Sequence, residues 1–81
     1  MWKVYILKCS DNTFYTWITL DIKRRIIEHN TSNKAAKYTR IRRPVVLIYS
    51  SIFETRQEAC REEYRIKHLT RKQKEELIKK Q

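Results

Sequence analysis

The sequence predicts an α+β fold: a three-stranded antiparallel sheet with the first strand central, flanked by helices in the order ββαβαα. Three observations predict it. The opening segment is apolar on both of its alternating sets of side chains. Two later segments begin with a Thr-x-x-Glu or Thr-x-x-Gln pattern, the signature of a capped helix start. Three short apolar runs are spaced by turn signals and by helical stretches, which points to a single layer of mostly antiparallel strands.

Along the first run, Trp2, Val4 and Ile6 alternate with Tyr5, Leu7 and Cys9. A strand apolar on both faces belongs in the middle of a sheet, covered on each side. Residues 10–13 (Ser-Asp-Asn-Thr) form a tight-turn signal in which Asn12 tolerates positive φ. Phe14 to Thr19 reads as the second strand, and Asp21 as the N-cap of a helix to about Asn30. Residues 31–44 read as a polar, basic loop ending at Pro44, and Val45 to Phe53 as the third strand. Thr55 with Glu58 starts a helix to about His68, and Thr70 with Gln73 starts a short last one. The whole of 1–81 is expected to form one domain, since 81 residues are too few for two cores.

Composition narrows the function. With 41% hydrophobic residues and nine aromatics, the chain has the material for a folded core despite 35% charge. No apolar run is long enough to span a membrane and no signal-peptide pattern opens the chain, so a soluble cytoplasmic protein with no membrane partner is expected. Cys9 and Cys60 are far apart and outside any CxxC pattern, which removes a paired zinc site and leaves two thiols. There is no glycine, where roughly six are usual for this length.

Charge is the strongest global signal. Nineteen Lys and Arg against nine Asp and Glu give +10, and no acid lies between Glu28 and Glu54. Lys34, Lys37, Arg40, Arg42 and Arg43 fill that gap, with Tyr38 among them. A one-sign stretch of this kind attracts polyanions, nucleic acid first. Tyr38 either stacks on a base or anchors the loop to the core.

Helical periodicity picks out further candidates. In the first helix Ile22 and Ile26 define the apolar stripe; Arg25 and His29 fall beside it, and Lys23, Arg24 and Glu28 away from it. A half-buried Arg and His need partners, either a phosphate and a tyrosine hydroxyl or carbonyls of the sheet. In the next helix Glu63 lies within the stripe of Ala59 and Ile66, with Glu62 at its edge, although Cys60 and Tyr64 suggest a competing face. Glu63 is open to two readings, a ligand for Mg²⁺ or a salt-bridge partner for Arg25. If the hairpin pairs odd residues with odd, for example Cys9 opposite Tyr15, then Tyr5 and Tyr15 share a face. Phenols, guanidinium, imidazole and carboxylate then converge on a set suited to phosphodiester hydrolysis.

The tracts VYIL (4–7) and YTWIT (15–19) resemble the paired tyrosine motifs that name the GIY-YIG nucleases. Arg25 and His29 follow the second tyrosine as in that family, and Glu63 in REEYRIK (61–67) matches its metal-binding glutamate. The tracts 21–30, 36–50 and 67–78 are similar to its small single-domain bacterial group. The resemblance covers essentially the whole chain. It implies an endonuclease using Mg²⁺ or Mn²⁺ on DNA, structured DNA or RNA. Tyr5 and Tyr15 then activate the attacking water, with Tyr15 or His29 as base; Arg25 holds the phosphate and Glu63 the ion. The glycine positions of the two motifs carry Lys3 and Trp17, and the indole is expected to enter or roof the cleft while adding about 1–3 kcal/mol of packing. The alternative is a nucleic-acid-binding module of the same fold whose cutting Trp17 impairs.

The basic loop yields the first testable expectation. Neutralising two of Lys37, Arg40, Arg42 and Arg43 should reduce the slope of log affinity against log salt by about two contacts' worth in a DNA-binding titration. An unchanged slope assigns those charges to solvent.

Overall fold

A strand apolar on both sides needs a cover on each, and the structure supplies both. The computed structural model describes residues 1–32 and 36–81. It contains strands β1 (Trp2–Lys8), β2 (Phe14–Thr19) and β3 (Val46–Phe53) and helices α1 (Ile22–Thr31), α2 (Lys37–Arg40), α3 (Arg56–Lys67) and α4 (Arg71–Lys79). The sheet order is β2-β1-β3, antiparallel throughout, so β1 is central as its sequence requires.

The two alternating sets of β1 enter two different cores. Val4 and Ile6 join Ile18, Tyr49, Ala59 and Ile66 under α3, with Leu77 and Ile78 of α4 alongside. Tyr5, Leu7 and Cys9 join Val45, Tyr15, Ile22 and Ile26 under α1. Each fully buried aliphatic side chain contributes about 1.5–3 kcal/mol. No helix among the described residues is long and apolar enough to cross a membrane.

The hairpin pairs odd residues with odd, but not in the register expected. Tyr15 lies opposite Leu7, not Cys9, and Tyr5 lies opposite Trp17. Cys9 N–H donates to Thr13 O at 2.8 Å and closes a turn over residues 10–12, in which Asn12 has φ 71°. A three-residue turn with a left-handed last position sets this pairing.

The helix starts follow their caps. Asp21 accepts from Arg24 N–H, and both Thr55–Glu58 and Thr70–Gln73 form complete capping boxes. The span 31–44 is a correction: α1 continues to Thr31, and Lys37–Arg40 forms one helical turn rather than plain loop. Its backbone is closed by Thr39 N–H and Arg40 N–H donating to Ala36 O, at 3.1 and 3.0 Å. A single turn has no period for a sequence pattern to display.

Two side chains secure the end of α1. Asn30 donates to Val45 O at 3.1 Å and accepts from Val45 N–H at 2.8 Å. The Arg43 guanidinium donates to the carbonyls of Glu28, His29 and Ser32. They lie at the C-terminal end of α1, where intrahelical donors run out, and Arg43 shares Glu28 O with Ser32 N–H. Arg43→Ala should therefore cost about 1–3 kcal/mol, read as a lower Tm. Arg43→Lys should recover little of it, because one ammonium cannot span three carbonyls. Lys37→Ala, which removes an exposed side chain, should leave Tm in place.

Candidate active site

The buried hydroxyl of Tyr5 sets the geometry. The side chain is fully buried in the central strand, so its O–H needs a partner that the folded chain provides. That partner is Nε2 of His29, 2.9 Å away, on the buried face of α1. The other ring nitrogen, Nδ1, is 2.7 Å from Oγ1 of buried Thr39 in α2. Thr39 Oγ1 in turn donates to Ala36 O at 3.1 Å, so it accepts from His29. The protons follow: Nδ1 of His29 carries hydrogen, Nε2 is the acceptor, and Tyr5 donates.

Burial, followed by the charge of Arg25, pushes the His29 imidazole down to about 4, so it is neutral at pH 7. Burial, and then the neighbouring Tyr15, hold the Tyr5 phenol far above its ordinary value. Arg25 pairs with Glu28 Oε1 at 3.0 Å, and its charge acts on the Tyr5 phenol. Burial opposes the guanidinium's charge, but Glu28 and Tyr5 outweigh it and its pKa is raised. Glu28 therefore turns inward beside Arg25 rather than away, as its i,i+3 spacing permits.

Tyr15 forms the outer wall. Its ring meets His29 edge-on at 5.3 Å and stacks on Tyr38 at 5.9 Å. Burial raises its phenol; Arg25 works against that and the charge of Glu63 adds to it. Arg42 lies 3.9 Å from the centre of the Tyr38 ring and pairs with Asp11 at 2.9 Å. Tyr38 is thus an anchor that joins the basic segment to the tyrosine wall.

Glu63 approaches from the other side. Its helix, α3, packs on the face opposite α1, so Glu63 reaches the tyrosines only around the β2 edge. It pairs with Lys67 Nζ at 2.6 Å, not with Arg25, which overturns the salt-bridge reading of Glu63. Tyr64 is exposed, so the competing apolar face is not the packed one. Trp17, 41% exposed, belongs to neither core cluster, and its ring carries the Lys67 ammonium at 4.3 Å. With that exposure, its packing contribution falls toward the lower end of the range expected for a buried indole.

Among the described residues no group of three His, Cys, Asp or Glu could hold a metal. A single carboxylate still fits Mg²⁺ or Mn²⁺, which keep most of their waters. Glu63, with a side chain 15% exposed, already holds one positive charge.

The structure thus gathers Tyr5, Tyr15, Arg25 and His29 and sets Glu63 at their rim. Lys37 and Arg40 are exposed beside them, Arg43 faces inward, and Lys34 lies outside the described residues. The sequence reading missed Thr39, Glu28 and Lys67. The i,i+4 spacing of Glu63 and Lys67 was a visible signal; nothing marked Thr39.

A model of the GIY-YIG catalytic domain matches residues 1–76. A UPF0213 protein of Desulfotalea psychrophila is 53% identical over 78 residues, covering 96% of this chain and 71% of that protein. One from Halobacterium salinarum is 52% identical over 78 residues, covering 96% of this chain and all of its own length. The solution NMR structure of a UPF0213 protein from Bacillus halodurans superposes with a TM-score of 0.63 at 48% identity, over 98% of this chain and 84% of that one. A protein of E. faecalis, also solved by NMR, gives 0.66 at 49% identity, over 96% and 82%.

The buried imidazole makes stability depend on pH. Its pKa is about 4 in the fold against an ordinary 6.5, so between those values the unfolded chain takes up a proton that the folded one refuses. Stability held above 6.5 is lost as pH falls towards 4, by about 2 kcal/mol at pH 5. Thermal melts from pH 7 to 5 should show this slope, and His29→Asn should remove it.

Proposed function

The chain belongs to the GIY-YIG catalytic-domain family, and we propose that it is a divalent-metal-dependent endonuclease that hydrolyses phosphodiester bonds in DNA. Residues 1–81 act in this reading as one nuclease domain. The observation that carries it is the division between an inner scaffold and an outer set of reactive groups. Tyr5, His29 and Thr39 saturate one another and leave Arg25 and Tyr15 beside the basic surface.

In this reading Arg25 holds the scissile phosphate and balances the charge that develops on its oxygens. Glu28 fixes the guanidinium, so little reorganisation is needed when the phosphate arrives. His29 positions Tyr5 and is not the base, because its acceptor nitrogen is occupied and the ring is buried. Tyr15 is the phenol that orients the attacking water; because burial raises its pKa, it would accept the proton only as pH rises past the ordinary phenol range. Glu63 would hold a Mg²⁺ or Mn²⁺ ion, whose Lewis acidity would neutralise charge at the phosphate. Lys37 and Arg40 hold the flanking backbone, and contacts of that kind position a substrate without reading its bases.

The pairing of Lys67 with Glu63 favours one other reading, a binding module in which the carboxylate stays occupied and nothing is cut. Cleavage assays with Mg²⁺ or Mn²⁺ on plasmid, branched DNA and RNA separate the two. Arg25→Ala, Tyr15→Phe and Glu63→Gln should each lower cutting by about 10²-fold or more while DNA affinity stays within a few-fold. Full activity in Glu63→Gln removes the metal assignment, and binding without cutting by the unaltered protein supports the module.

A further inference from the structure

Resting on the reading of Glu63 as the metal carboxylate, we propose that Lys67 is a built-in competitor for that metal, held on Glu63 by the indole of Trp17. An exposed i,i+4 ion pair on a helix is weak and shifts freely among geometries. This one is fixed at two points. Lys67 Nζ lies 2.6 Å from Glu63 Oε1 and 4.3 Å from the centre of the Trp17 ring. The two contacts come from different elements, one from α3 itself and one from the β2 edge. The ammonium is therefore held against the carboxylate by contacts from two elements.

The register explains why this position matters. Trp17 follows Tyr15 by two residues on the same strand face and pairs across the sheet with Tyr5. Its platform brings the Lys67 charge to the rim of the tyrosine pair, where the charge of Glu63 is already felt by Tyr15. A divalent ion approaching Glu63 meets an ammonium at the same oxygen and is repelled until the lysine swings away. The four-carbon stem permits that swing, and the side chain of Lys67 is 40% exposed, so solvent can receive it. Trp17 opposes it, because a cation over an indole face is attracted to the ring. The bulky residue in the second tyrosine motif thus raises the metal concentration the site requires, rather than closing the site to substrate.

The test is a Mn²⁺ titration followed by electron paramagnetic resonance, without nucleic acid. The proteins are the unaltered chain, Lys67→Met, Trp17→Leu and Glu63→Gln, each checked by circular dichroism for its fold. Lys67→Met should bind Mn²⁺ about tenfold more tightly, and Trp17→Leu about threefold, with Glu63→Gln losing the site. If Lys67→Met binds as the unaltered protein does while Glu63→Gln binds poorly, the competition is wrong and the metal reading stands. If Glu63→Gln binds as well as the unaltered protein, both are wrong.

Discussion

A phenol hydroxyl buried in the middle of a sheet cannot be left without a partner, and the rest of the candidate site is arranged around that constraint. Tyr5 sits in the central strand and is fully covered. Its hydroxyl fixes His29, His29 fixes Thr39, and Thr39 closes on the backbone of its own turn. This chain of bonds joins β1, α1 and α2, so the position of each depends on the others. A buried polar network of this kind holds one geometry when every member is satisfied and is costly when any member is lost. Arg25 is the point where the network reaches outward, since its charge acts on both Tyr5 and His29 and neither of them carries one.

Residues of one type divide between two tasks. Arg43 and Arg42 are neighbours in sequence, yet one caps the end of α1 and the other lies over Tyr38 at the surface. The cap contributes to stability because it adds donors at the helix end, where intrahelical ones run out. The stacked arginine links Asp11 of the hairpin turn to Tyr38, and through it to Tyr15. The basic character of the segment is therefore partly structural, and its net charge overstates how much of it faces a ligand.

Much of the fold was legible in the sequence because it rests on local rules. Alternation apolar on both faces placed β1 at the centre, and Asp21, Thr55 and Thr70 announced their helices through hydrogen bonds spanning three residues. The hairpin register was not legible, because it turns on whether three or more residues bridge the strands; the pairing of Leu7 with Tyr15 decides it. Of the candidate site, Tyr5, Tyr15, Arg25 and His29 were found through motif and spacing, and the fold brings them together. Thr39 and the inward turn of Arg43 were hidden, since both depend on contacts across 10 or more positions in a segment without periodicity. For Glu63 the sequence offered a metal ion or Arg25, and overlooked the cation four residues along its own helix.

The central claim is that a neutral His29, protonated on Nδ1, holds Tyr5 and so sets Arg25 and Tyr15 in place. Nitrogen-15 NMR of the imidazole reads this directly, because the two ring nitrogens have different shifts in each tautomer and in the cation. The account predicts a protonated Nδ1, an unprotonated Nε2, and no change from pH 8 down to about 5. A ring that titrates near its ordinary 6.5, or one protonated on Nε2, would contradict it.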